Sequence, residues 1–371
     1  MGQQYETSFC NQNLLEMIMR PTAVLIAGLI LAGTASCSLL HHKKVTAKDP
    51  VFYPSAPDTA RIQYLATING SDYLPRRSKF STFVLGQEAR NFVGKPFGAI
   101  MRNGKMYICD VGLEMIEIVD LKKQKWINFS PSGAGALKNP LAVAVDSNET
   151  MYIGDVGRHE VLMFDSARHF VKAVKDTGDF KPTDIVISGN ELWVTNPVNH
   201  KINIYNKKTL ELVNTMGQYE QGDDGHLYSP YNLFVDDERV YVTDFGDFKI
   251  KIFDKAGKYL SSVGSYGTSV GQFVRPKGIA CDRDENLFVV DAGFENVQIF
   301  NRDGRLLMFF GGTYKDHGDM WLPQRVTVDY DNLKYFAPYV DPAFELKYLI
   351  IVCNQFGPDK VNIYGAISPR K

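Results

Sequence analysis

The sequence predicts an all-β chain: a six-bladed β-propeller of four-stranded antiparallel blades, closed by an N-terminal strand. Three observations predict it. One pattern occurs six times: a proline, an apolar run, a polar turn, a second apolar run ending in Asp or Asn, and a third apolar run. The copies are led by Pro96, Pro140, Pro182, Pro230, Pro276 and Pro323, at spacings of 44, 42, 48, 46 and 47 residues. Short β-rich runs separated by polar turns, at a period of about 45, make one blade per copy. Finally, the sixth copy stops after its third run, "VNIYG", whereas a strand-like segment, "RIQYLATI", stands before the first copy. That segment, Ile62–Ile68, is expected to complete the last blade and leave no sheet edge exposed inside the ring.

The chain has 371 residues, 44 % hydrophobic and 22 % charged, with a net charge of −1. It can bury a large core, and the lack of basic excess argues against nucleic acid as a partner. Residues 1–36 are expected to be a signal peptide. Arg20 precedes "PTAVLIAGLILAGTASC", a short apolar core ending in small residues. The stretch resembles a bacterial lipobox with Thr34 in place of the usual Leu, Val or Ile, which would make Cys37 the lipidated mature N-terminus. The preceding residues carry Glu6 and Glu16 and no base, so translation is expected to start at Met19, or at Met17. An uncleaved anchor over Pro21–Leu40 is the competing reading, opposed by Lys43 and Lys44 directly after it. Loss of Arg20, Glu6 and Glu16 leaves a mature net charge of zero. Residues 37–61 read as the lipidated cysteine and a proline-containing tether. Cys109, Cys281 and Cys353, an odd number on expected strands, read as buried thiols.

Residues 62–371 form the propeller. The first runs are "GAIM", "AVAV", "DIVI", "NLFV", "GIAC" and "RVTV"; the third are "IEIVD", "VLMFD", "INIYN", "IKIFD", "VQIFN" and "VNIYG". The second runs end in Asp110, Asp155, Asn196, Asp244, Asp291 and Asn354. A residue type required once per blade is structural, since such side chains accept backbone N–H bonds at turns. Asp282, Asp284 and Asn286 have the spacing of a calcium loop, but Leu287 stands where that loop needs Gly. The equivalent "DSNET", "DDER" and "DYDN" identify the segment as the hairpin between first and second strands. This grammar resembles the NHL-repeat family, most closely in "NHKINIY" and "YVTDFGDFKIKIFD". The resemblance covers residues 62–371 and implies a six-bladed propeller. It leaves function open, because the family includes scaffolds, RNA binders and a few enzymes. "NQFGPDKVNIYG" and "RIQYL" are similar to a bacterial secreted, lipoprotein-like subgroup that often accompanies multihaem cytochromes.

In such a fold the loops leading into first strands and those joining second to third strands share one face. His159, His200, His226 and His317 all fall in these loops and could hold a metal. Related amidating lyases use histidine-bound zinc; yet His200 and His159 occupy the ordinary histidine of the repeat. Two residues after the prolines stand Gly98, Ala142, Asp184, Asn232, Gly278 and Arg325, at the mouth of the central channel. Propeller lactonases hold calcium at such a mouth, but here a guanidinium faces the carboxylate. An Asp184–Arg325 ion pair is expected, as a plug or as a contact for an anionic ligand.

The long loops "QYEQGDDGHLY" and "TYKDHGDMW" and a blade 6 insertion, "DNLKYFAPYVDPAFELKY", exceed ordinary connections. No C-x-x-C-H, nucleophile elbow, P-loop or H-E-x-x-H occurs. The expectation is therefore a non-catalytic binding or assembly module of the bacterial cell envelope, lipid-anchored at the outer membrane. Its contact surface would comprise His226, Tyr228, Tyr266, Tyr314, His317 and Trp321, and its partner a protein such as a multihaem cytochrome or an export complex. The alternative is a metal-dependent lyase or lactonase using calcium or zinc at Asp184, Asn232 and Arg325 or at the four histidines.

Overall fold

A computed structural model describes residues 50–75, 90–176 and 178–370. The segment expected as a signal peptide, Cys37 and the start of the expected tether lie outside the described residues. Six antiparallel sheets follow one another around an axis, and within blades 1 to 5 the four strands run outward in chain order. Blade 1 runs from Pro96 to Phe129, blade 2 from Pro140 to Val174, and blade 3 from Ile185 to Met216. Blade 4 runs from Pro230 to Val263 and blade 5 from Pro276 to Gly311. Blade 6 has five strands, in the order Pro323–Asp329, Phe344–Asn354, Val361–Pro369, Ile62–Ile68 and Phe52–Tyr53. Ile62 to Ile68 pairs with Ala366 to Val361 of the third strand, so the expected closure forms. The last strand lies inside the segment expected as a tether. Tyr53 there donates a hydrogen bond to the Gly318 carbonyl at 2.8 Å.

Burial explains the strand sequences. Inner strands are covered on both faces by neighbouring blades, so they read as continuous apolar runs; every residue of Pro140–Val145 is buried. Outer strands such as Leu212–Met216 are largely exposed. The core lies between blades: Cys109, Ile116 and Ile118 of blade 1, for example, pack with Val143, Ile153 and Phe164 of blade 2. Each such side chain contributes about 1.5–3 kcal/mol when fully buried.

The recurring Asp is a stitch. Asp155 accepts N–H bonds from Lys138 and Asn139, ahead of its blade, and from Gly157 and Arg158, after its second strand. Asp110 and Asp291 do the same in blades 1 and 5. Asp282 accepts from the backbone N–H of Asp284 and Asn286, as a hairpin turn requires. Cys109, Cys281 and Cys353 are free and buried.

The blade 6 insertion is a latch. It folds into two short 3-10 turns, Leu333–Tyr335 and Ala337–Tyr339, and buries Phe336 completely against Leu65, Leu74 and Met106. Asn332 accepts from the Gly104 N–H at 2.9 Å, and Gln63 of the closing strand donates to the Tyr339 carbonyl at 3.0 Å. The insertion thus ties the closing strand and blade 1 together at the lower face, the face of the first hairpins.

Candidate functional site: the channel mouth and upper face

The inner strands of blades 1, 2, 4, 5 and 6 shift register just after the leading proline. A bulge of this kind re-aims side chains. It brings the first two residues after the proline to the channel mouth in two tiers. In the deeper tier Arg325 of blade 6 crosses the axis and its Nη1 donates to Asp184 Oδ1 of blade 3. The ion pair expected from sequence forms directly. Asp184 is also held by backbone, Oδ1 accepting from the Ile185 N–H at 2.8 Å and Oδ2 from the Leu233 N–H at 3.0 Å. Asn232 is buried beside this crossing without joining it, and its Oδ1 has no hydrogen-bond partner. Gly98 and Gly278, from the blades flanking blade 6, make the room. A Cβ on Gly98 would stand 2.9 Å from Arg325 Cδ, and one on Gly278 2.5 Å from Arg325 Cα.

The upper tier is aromatic. Phe97 of blade 1 meets Tyr231 of the opposite blade 4, with ring centroids 6.2 Å apart. Lys277 of blade 5 places Nζ 3.7 Å from the Tyr231 ring centroid and 4.7 Å from that of Phe245. The residue is 7 % exposed and has no carboxylate partner among the described residues. Burial, with a smaller push from the Arg275 charge, lowers its ammonium to about 8. Buried Lys251, by contrast, meets Asp244 at 3.2 Å and Asp247 at 3.0 Å. From Tyr231 a lane of rings runs outward, through Phe245 at 6.2 Å and Phe248 at 6.3 Å to Tyr266 at 4.8 Å.

Tyr266 is 67 % exposed and Trp321 49 %. Tyr314 stacks on Trp321 at 6.3 Å, and Phe92 and Phe356 are exposed on the same face. Of the residues expected there, Tyr266, Trp321 and His317 reach solvent, and Tyr314 is half-buried. His226 and Tyr228 are half-buried and turn inward: Tyr228 lies edge-on to His226 at 4.6 Å and beneath the Lys251 ammonium. Phe92, Phe248, Phe356 and Lys277 escape sequence reasoning, because single residues in loops and bulges carry no periodic signal.

The histidines do not converge on one point. His200 and His226 lie 5.9 Å apart by ring centroid. His159 instead turns Nδ1 to the Phe180 carbonyl at 2.9 Å, and His317 turns Nδ1 to Asp359 at 2.8 Å. Among the described residues no group of three His, Cys, Asp or Glu could hold a metal ion. His159 and His200 have φ of 57° and 54°, the left-handed position of the turn after the second strand. From that position each reaches a carbonyl in the loop leading to the next blade, Phe180 and Tyr228 respectively. Glu295 reaches the Leu322 N–H from the same position in blade 5. The repeat's histidine is thus an inter-blade tie.

A family model described as a 6-bladed beta-propeller matches residues 219–354. No curated protein matches the chain. Among solved structures, the chain is similar to virginiamycin B lyase from Staphylococcus aureus at 14 % identity, covering 76 % of this chain and 86 % of that one, with a TM-score of 0.50. It is similar to Kuenenia stuttgartiensis hydrazine synthase at 13 % identity, over 75 % and 97 %, with a TM-score of 0.51. A structural-genomics protein of unknown function from Bacteroides thetaiotaomicron VPI-5482 aligns at 16 % identity, over 82 % and 76 %, with a TM-score of 0.55. At these identities the likeness is one of fold: the chain is a six-bladed β-propeller.

Proposed function

We propose that the chain is a non-catalytic binding or assembly module of the bacterial cell envelope. In this reading it is an NHL-type propeller, lipid-anchored through Cys37 at the outer membrane, and its upper face contacts a protein partner such as a multihaem cytochrome or an export complex. One observation carries the reading: Tyr266, Trp321, Phe92 and Phe356 all expose large ring surfaces on a single face. Aromatic side chains on a rigid scaffold are the usual anchors of protein contacts. The metal-dependent alternative finds little support at the mouth, where the carboxylate of Asp184 is engaged by Arg325 and two backbone N–H groups.

The test is site-specific photo-crosslinking in the native envelope from position 266 or 321, with Leu212 on an outer strand as the control. The reading expects one defined partner from the face positions, and about tenfold weaker binding of that purified partner to Trp321→Ala or Tyr266→Ala. Equal capture from position 212, or unchanged binding by both variants, would sink it. Mass spectrometry of the N-terminal peptide tests the anchor separately; Cys37 without a lipid thioether would remove that part.

A further inference from the structure

Two contacts span the channel at its upper mouth, Arg325 to Asp184 and Phe97 to Tyr231. Below them lie two cavities of about 400 and about 190 Å³, which share Ile100, Met101, Val186 and Arg325 in their walls and so adjoin. The larger falls in the range of small-molecule sites, about 300–1,000 Å³. Its walls are the apolar lower halves of inner strands, with Val143, Val145, Ile185 and Ile187 among them.

The charges around this well are unbalanced. Arg102, Lys207 and Arg325 line the larger cavity against one acid, Asp146. Asp146 is held by its own hairpin, Oδ1 accepting from the N–H groups of Asn148 and Thr150, both at 2.9 Å. Arg102 and Lys207 have no ion pair among the described residues, and Arg102 Nε is buried without a hydrogen-bond partner. Nor does the repeat demand an arginine at position 102. Six residues after the leading proline, blades 2, 4, 5 and 6 carry Asp146, Asp236, Asp282 and Asp329. Each accepts backbone N–H bonds from its hairpin. Blade 1 instead turns tightly through Asn103 and Gly104, at φ 51° and 78°, which needs no such acceptor. The freed position carries a cation facing an apolar well.

We infer that the well is a binding site for a small monocarboxylate with an apolar body, its head on Arg102 and Lys207 and its body between the inner strands. A guanidinium presents two parallel donors to a carboxylate, and a single charge suits two cations already accompanied by Asp146. The site lies on the opposite face from the aromatic surface and does not depend on the function proposed above.

Calorimetric titration of the full chain with 3-phenylpropionate and with its neutral amide tests the inference. The acid should bind saturably and at least about tenfold more tightly than the amide. Arg102→Gln should weaken the acid by about fivefold or more and leave the amide unchanged, because only the charge-assisted contact is lost. Ser147→Trp, a change at an exposed rim position, should block both ligands while leaving the melting temperature near that of the parent. Equal affinity for acid and amide, no saturable binding of the acid, or an Arg102→Gln protein that binds the acid as well as the parent would each overturn the assignment.

Discussion

Arg325 and Asp184 join opposite blades across the propeller axis, and both are almost entirely removed from solvent. A buried pair is costly to break and cheap to replace, because loss of one partner strands the other charge in an apolar setting. Asp184→Asn or Arg325→Met alone should therefore lower stability by about 3–5 kcal/mol. The double replacement should lose much less than the sum, and a double-mutant cycle in urea measures the coupling. Purely additive losses would mean that the pair is not held together in solution.

The two glycines beside the crossing separate backbone from side-chain crowding. Gly278→Ala would push its Cβ to 2.5 Å from Arg325 Cα and 2.7 Å from Val326 N, neither of which can swing away. Gly98→Ala meets Arg325 Cδ at 2.9 Å, part of a flexible side chain. Both substitutions should destabilise by about 1–3 kcal/mol. Shortening the side chain with Arg325→Ala should suppress the further loss from Gly98→Ala and leave that from Gly278→Ala intact, as read from urea midpoints in the two backgrounds.

These features differ in how far they were legible. The fold and the Asp184–Arg325 pair follow from a register counted from each proline, and six copies make that count secure. Lys277 and the Tyr231 to Tyr266 lane depend on how a bulge aims one side chain, which residue spacing does not encode. Phe336 sits in what reads as a loop, yet it is wholly buried, since the closing strand and blade 1 leave a gap that one ring fills. The strand Phe52–Tyr53 is too short to register against the proline-containing sequence around it.

The stitching carboxylates should resist even a conservative exchange. Asp155 accepts from four backbone N–H groups, three on Oδ1 and one, from Lys138, on Oδ2. In Asp155→Asn the amide nitrogen would replace Oδ2, facing one donor with another. A loss of about 1–3 kcal/mol is expected, with hydrogen-exchange protection of the Lys138 amide lost first. Unchanged stability would show that the loop is held by its other contacts.

Glu117 is a misfit within its repeat. The equivalent third-strand residues Asn203, Gln298 and Asn362 hydrogen-bond to the loop leading into their own blades, Lys251 bonds to its loop and pairs with Asp244, and Leu162 is apolar. Both Glu117 oxygens are buried without a partner, and burial, aided by the Asp110 charge, raises its carboxyl to about 9. Between the ordinary value near 4.5 and about 9 the native state holds a proton that the unfolded chain releases, so stability falls as pH rises through that window. Glu117→Leu should stabilise on the order of 3 kcal/mol at pH 7, with little effect at pH 4. Melting curves at the two pH values decide it; a gain independent of pH would place the benefit in packing.

Lys277 has the opposite dependence. Its ammonium lies near 8 in the fold, against 10.5 in the free side chain. Below about 8 both states are protonated, and the fold bears the cost of the buried charge, partly offset by the Tyr231 and Phe245 ring faces. From about 8 to 10.5 the unfolded chain holds a proton that the native state has released, so this residue's contribution to stability rises with pH. Lys277→Met keeps the apolar stem and removes the charge. It should stabilise by about 1–3 kcal/mol at pH 7, with the gain shrinking as pH approaches 10.5. Urea denaturation of parent and variant at pH 7 and 10 measures the difference. A variant that is less stable than its parent at pH 7 would show that the ring faces more than repay the desolvation, and that the mouth is built around a charged lysine.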